Sequence, residues 1–218
     1  MSGLGDIEKR VAQAAQAAGR ERASISLIAV SKTQPEDRIS AVLQEGQRVF
    51  GENRVQEAEG RWPAHRATFG KIELHLIGPL QTNKARAAVG LFDVIHTVDR
   101  PRLVTTLARL AQERGQSPSL FVQVNIGAES QKAGCLPQDV DSLVAQVRAE
   151  NLPLAGLMCI PPAEDDPRPH FENLAEMARR NGLSGLSMGM SGDFEAAIAA
   201  GATHVRVGSA IFGDRHYG

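Results

Sequence analysis

Short apolar runs alternate with amphipathic stretches along almost the whole chain. From Ile7 to Ala18 the apolar positions recur at helical spacing, and Gly19 ends that helix. Ser26 to Ser31 is a short apolar run, read as a buried strand. Pro35 opens a helix to Glu45, which Gly46 stops. Arg48 to Gly51 is a brief strand, and a polar helix is expected from about Glu52. Further strands are expected at Ile72–Ile77, Phe92–Thr97, Leu120–Asn125 and Leu154–Cys159. Helices fall between them, one starting near Asp99 and Pro101, one at Pro137 and one at Pro169. The last two strands are expected at Leu186–Met190 and His204–Val207. The first leads through Ser191, Gly192 and Asp193 into a helix from Phe194 to Ala200; the second leads through Gly208 and Ser209 into a helix at Ala210.

That is eight strands alternating with helices. It predicts an α/β fold with a parallel sheet and crossover helices, a compact (β/α)8 barrel. An open doubly wound sheet is the alternative, weakened because no Gly-x-Gly-x-x-Gly follows the first strand. No linker or low-complexity tract interrupts the pattern, so residues 1–218 are expected to form a single domain.

Composition narrows the function classes. A net charge of −1 gives no general field for nucleic acid or an anionic membrane. Cys135 and Cys159 are too few for a disulfide framework and lie in no metal-type spacing, and the histidines show no paired metal spacing either. The amphipathic N-terminus has no signal-type apolar region, and no run approaches membrane-spanning length. A cytoplasmic location is expected.

The candidate chemistry lies at strand ends. Lys32, one of only five lysines, follows the first core strand. Strand parity puts Ile28, Val30 and Lys32 on one face, with Lys32 at the mouth of a barrel. A lysine in low-dielectric surroundings can attack a carbonyl and form a Schiff base; the plainer reading is a lysine that snorkels to solvent. Two helix N-termini, after Ser191-Gly192 and after Gly208-Ser209, make a candidate phosphate grip. Arg206 shares an inward face with His204 and must find a partner, either a ligand or a carboxylate of a neighbouring strand. Asn53 and Asn125 can each hydrogen-bond a ligand or simply cap a helix or turn, and His75 reads as a satisfied core histidine. A lysine facing a phosphate grip points to pyridoxal 5′-phosphate (PLP), which carries both an aldehyde and a phosphate; a sugar-phosphate aldolase is the alternative.

The segments AVSKTQP, FGENRVQEA, HLIGPLQTNKAR, HTVDR, VQVNIGAESQKAGC, GLMCIPP and LSMGMSGDFEAAIAAGATHVRVGSAIFG together resemble the pyridoxal phosphate homeostasis proteins. They run in one order from Lys32 to Gly213. The resemblance implies a single TIM barrel like the N-terminal domain of alanine racemase, the fold-type III PLP-binding architecture without a C-terminal β-domain. It implies PLP held on Lys32 as a Schiff base, phosphate binding by Ser191, Gly192, Gly208 and Ser209, Arg206 at the pyridine nitrogen and Asn53 near the ring. Gly192 stands where many relatives carry an acidic residue.

The function this implies is that of a carrier in PLP (vitamin B6) homeostasis, a monomeric holder in the family's manner that keeps the aldehyde masked and supplies PLP to apo-enzymes. No strong catalysis is expected. The alternative is a PLP-dependent amino-acid racemase. Two-base racemisation needs an acid on each face of the substrate. The only tyrosine is Tyr217, near the end of the sequence, and no second domain is expected to supply another acid.

Overall fold

The computed structural model describes residues 2–213. Eight parallel strands close into a barrel in the order in which they occur along the chain. They are β1 (Ser26–Val30), β2 (Val49–Glu52), β3 (Glu73–Leu76), β4 (Val94–Val98), β5 (Ser119–Val124), β6 (Leu154–Cys159), β7 (Gly185–Ser187) and β8 (His204–Val207). Closure is made by β1 on β8, with Ile28 opposite Arg206 and Ala29 opposite Val207. Around them run α1 (Leu4–Ala17), α2 (Glu36–Gln44), α3 (Val55–Phe69), α4 (Ala85–Leu91), α5 (Pro101–Arg114), α6 (Val140–Ala149), α7 (Pro167–Arg180), α8 (Phe194–Ala199) and α9 (Ser209–Phe212).

The helices follow from local chemistry. α7 starts at Pro167, whose fixed φ suits a first helical position, and the Asp166 side chain accepts from the Arg168 N–H at 3.1 Å. Its buried Phe171, Leu174, Met177 and Ala178 form one stripe at helical spacing. α5 ends where Gly115 takes a left-handed conformation, φ 75°. Truncating a fully buried stripe residue such as Leu174 to Ala costs roughly 2–5 kcal/mol.

Two cores result. The larger lies between barrel and helices and takes the outward strand residues, Leu27, Ala29, Leu74, Ile95, Val205 and Val207 among them. The smaller, Val94, Phe121 and Met158, fills the barrel interior. Ile28 also faces inward, because a Cβ added at Gly51 would stand 2.8 Å from its Cγ2. No helix among the described residues is long and apolar enough to cross a membrane.

Candidate functional site

Lys32 sits, half-buried, in the turn that leaves β1. The turn is closed by Gln34 N–H donating to the Ser31 carbonyl at 3.1 Å, and it carries Thr33 at φ 59°. That left-handed conformation is costly for a β-branched residue, so something must hold it. The brace comes from β2 and α3. Arg61 donates to the carbonyls of Ser31 and Gln34, both at 3.1 Å. The Glu52 carboxylate accepts from Ser31 Oγ at 2.7 Å and from Trp62 Nε1 at 3.1 Å. Glu52 is fully buried, and burial raises its pKa against the opposing pull of Ser31, Trp62 and Arg61. The sequence places Glu52 at the start of a helix; in the fold it ends β2, and α3 begins only at Val55.

Arg206 lies on β8 with 4% of its surface exposed. Of the two partners expected for it, a neighbouring carboxylate is not the one found among the described residues. Its guanidinium donates to the neutral acceptors Ser187 Oγ, at 2.6 Å, and the Cys159 carbonyl, at 2.9 Å. Burial pulls its pKa down to about 10, so it remains a cation at neutral pH. A buried cation with only neutral contacts is a poor arrangement by itself and a good one for an electron-rich ligand atom.

The turns after β7 and β8 leave adjacent strand ends, since Arg206 N–H bonds the Gly189 carbonyl at 3.0 Å. The N–H groups of Ser191, Gly192, Ser209 and Ala210 donate to no protein acceptor among the described residues. α8 and α9 have six and four residues, so aligned peptide dipoles add little there; the unused N–H groups are what these turns offer an anion. Gly208 packs against β1: a Cβ there would be 3.3 Å from the Val30 carbonyl oxygen, two residues before Lys32. The steric glycine of the first turn is Gly189, at φ 92°, where a Cβ would stand 2.6 Å from that of Ala197. A Cβ at Gly192 would meet nothing within 4 Å.

The two asparagines part company. Asn125 staples its own loop, donating to the Glu129 carbonyl at 2.7 Å and accepting from the Glu129 N–H at 3.1 Å. The Asn53 carboxamide makes no hydrogen bond among the described residues. It lines a cavity of about 290 Å³ at the carboxyl end of the barrel, together with Gly78, Gln123 and Lys132. Gln123 Oε1 is buried there without a donor among the described residues. Lys132, an ordinary loop lysine on sequence, pairs with Glu129 at 2.6 Å. A larger groove, about 690 Å³, lies between α5 and α6 on the outer ring and touches no strand-end residue.

Below Arg206 three histidines meet inside the barrel. His75 Nδ1 lies 2.7 Å from His96 Nε2, and the His204 ring centroid lies 6.0 and 5.8 Å from those of His75 and His96. Burial, and then the neighbouring His75, holds the His96 pKa well below its ordinary value; burial drops His204 to about 4. His75 is the satisfied core histidine expected of it, bonded to Glu73 and His96. His96, Ser187 and Glu52 are the residues strand-end reasoning passes over. Counting period 2 along β4 and β7 would have placed His96 and Ser187 inward, but nothing local marks them as partners. The described residues contain no cluster suited to a metal ion. Tyr217 lies outside the described residues.

A family model described as alanine racemase, N-terminal domain, matches residues 4–216. A pyridoxal phosphate homeostasis protein of Pseudomonas aeruginosa is 42% identical over 226 residues, covering 99% of this chain and 95% of that protein. One of the same name from Escherichia coli is 40% identical over 225 residues, covering 98% and 96%. The solved structure of PipY from Synechococcus elongatus with PLP bound matches at TM-score 0.80 and 39% identity, over 87% of this chain and 93% of that one.

Proposed function

This chain belongs to the pyridoxal phosphate homeostasis protein family, and on that footing we propose that it binds PLP at the carboxyl end of the barrel and holds it for delivery to apo-enzymes. When bound, the cofactor supplies an aldehyde that a lysine amine captures as a Schiff base, and a phosphate that backbone donors can hold. Lys32 is the capturing residue in this reading. The N–H groups of the Ser191-Gly192 and Gly208-Ser209 turns take the phosphate, and Asn53 stands near the ring. Arg206 donates to the pyridine nitrogen.

The observation that carries the reading is Arg206, a buried guanidinium whose contacts among the described residues are neutral, on the strand beside the one that leads to Lys32. An arginine donates and never accepts, so a ring nitrogen facing it stays unprotonated. An unprotonated pyridine is a weak electron sink, which suits holding more than turnover. The unused turn N–H groups and the idle Asn53 carboxamide are further donors that a phosphorylated ring would engage. We also place the protein in the cytoplasm as a monomer, which cell fractionation and size-exclusion chromatography test.

The direct test is a visible spectrum of the purified, PLP-treated protein before and after borohydride, with mass spectrometry of the trapped peptide. A reduced adduct on Lys32, and its loss with the visible band in Lys32→Ala, is the expected result. An adduct on Lys84 or Lys132 in the native protein would show the assignment to be wrong.

A further inference from the structure

The neutral contacts of Arg206 lead somewhere. Arg206 Nη1 donates to Ser187 Oγ at 2.6 Å; Ser187 Oγ lies 2.8 Å from His96 Nδ1; His96 Nε2 lies 2.7 Å from His75 Nδ1; and His75 Nε2 lies 2.8 Å from Glu73 Oε1. The chain crosses the barrel from β8 through β7 and β4 to the first residue of β3. Its interior members Ser187, His96 and His75 are fully buried, and its last member, Glu73, is partly open to solvent at the amino end of the barrel.

Hydrogen-bond directions along this chain follow from its two ends. An ionised carboxylate only accepts, so His75 Nε2 carries the proton given to Glu73. Neutral His75 then accepts at Nδ1 from the Nε2–H of His96, and neutral His96 accepts at Nδ1 from the Ser187 hydroxyl. That leaves the Ser187 oxygen to accept from Arg206. Each imidazole N–H and the Ser187 hydroxyl proton is used once, and all four bonds point from the cation toward the anion. In the reverse sense the Ser187 proton would have no acceptor, because its other neighbour is a guanidinium. A neutral His96 agrees with its depressed pKa, and a donated bond from His75 is the leading cause of the lowered pKa of Glu73. Phe121 stacks on His96 with centroids 4.5 Å apart and planes 7° from parallel, which fixes that ring.

We propose that Glu73, His75, His96 and Ser187 act as positioning residues: a one-way hydrogen-bond chain that gives buried Arg206 its counter-charge and fixes its donors toward the cofactor ring. The part concerning the ring rests on the PLP reading above; the part concerning Arg206 does not. Polarised chains of this kind strengthen their members in a low-dielectric interior, so a change at Glu73 is transmitted to the guanidinium. The carboxylate at one end of the barrel thereby sets the electrostatics of the site at the other.

The test uses 15N NMR of side chains in the cofactor-free protein near pH 7.5, and PLP titration of the same samples. Expected are neutral Nε2–H tautomers for both His75 and His96, and a guanidinium signal of Arg206 that moves in Glu73→Gln. That variant keeps an acceptor at a half-exposed position while removing the charge. Ser187→Ala should abolish the response of Arg206 to Glu73→Gln, and should weaken PLP retention roughly tenfold. Ser187→Thr, which keeps the hydroxyl, should restore it. A protonated or Nδ1–H form of His75 or His96 overturns the chain. So does an Arg206 signal indifferent to Glu73, which Glu73→Gln alone decides if Ser187→Ala does not fold. Unchanged PLP retention in folded Ser187→Ala refutes the link to the ring. If the wild type takes up no PLP, the proposed function fails, while the NMR arms still decide the chain.

Discussion

The Glu52 carboxylate and the Ser31 hydroxyl meet at 2.7 Å, one residue before Lys32. The contact ties the turn that carries Lys32 to the far end of β2, and it is entirely shielded from water. The same oxygen of Glu52 also serves Trp62 Nε1, at 3.1 Å.

Glu52→Ala should therefore do more than open a small cavity. It strands the Trp62 indole N–H and part of the Arg61 guanidinium in a buried site and leaves the Ser31 hydroxyl only a long contact, 3.4 Å, to the Gly51 carbonyl. Destabilisation of roughly 2–4 kcal/mol is expected in urea unfolding. Trp62 is the only tryptophan, so its emission reports the site directly. Glu52→Gln, which retains a carbonyl acceptor, should recover most of the loss. Equal urea midpoints for Glu52→Ala and the wild type would rule the brace out.

Glu52 also shows where sequence reading stops. A glutamate after a short strand reads as the solvent-facing first residue of a helix. Its burial is set by Ser31, Arg61 and Trp62, which come from a different turn and a later helix. By contrast, β6 and β8 lie where their apolar runs put them, because a strand buried on both faces leaves its own signature. β7 ends at Ser187 and not at Met190, since Gly189 turns the chain out at φ 92°. Lys32 was legible at the end of the first strand and Arg206 as an inward residue of the last strand. The histidine cluster was not: barrel closure brings together His75, His96 and His204, which no sequence spacing relates.

The two glycines of the first turn should respond oppositely to alanine. Gly189→Ala forces a side chain into a left-handed backbone and against Ala197 and Phe194, at 2.6 and 2.9 Å. A loss of about 1–3 kcal/mol is expected from the backbone alone, with weaker PLP retention as the Ser191-Gly192 turn shifts. Gly192→Ala meets open space and should leave stability within about 0.5 kcal/mol. Comparable losses in both variants would remove Gly189 from its special role.

The two thiols should be inert in the native protein. Burial pushes Cys135 and Cys159 up to about 12, and Cys159 is fully enclosed. Only the thiolate reacts, and little of it exists near neutrality. A thiol-disulfide reagent at pH 8 should label neither over an hour and both promptly in urea. Stoichiometric labelling of the folded chain within minutes would contradict this.

Acid should destabilise the barrel before its surface carboxylates titrate fully. In the unfolded chain His204 takes up a proton near pH 6.5, but in the fold only near 4. Across that window the unfolded chain binds more protons, so stability, complete above 6.5, falls as the pH falls. At about 1.4 kcal/mol per unit, the loss approaches roughly 3 kcal/mol by pH 4, and His96 adds to it in the same direction. Urea midpoints of the cofactor-free protein between pH 7 and 4.5 measure it. His204→Gln should flatten the profile, and an unchanged slope in that variant would assign the acid sensitivity elsewhere.

Holding and turnover separate at the α-proton of an amino acid. If Lys32 holds the aldehyde as proposed, free amino acids would compete with it, since exchange needs only a neutral amine and access to the site. Removing the α-proton is a different demand, because the negative charge left behind must spread into the ring. In the proposed reading Arg206 limits that spread: two of its N–H groups face Ser187 and Cys159, and those left over could hydrogen-bond the ring nitrogen without handing it a proton, so the nitrogen would stay a weak electron sink. The PLP-loaded protein incubated with L-alanine in deuterated water should therefore show spectral change with α-deuterium uptake no faster than free PLP produces. Saturable α-deuteration or racemisation, lost in Lys32→Ala, would instead restore the racemase. Slow exchange that is equally slow in Arg206→Gln would locate the restraint in a missing acid or base, since glutamine removes the cation and leaves proton delivery as it was.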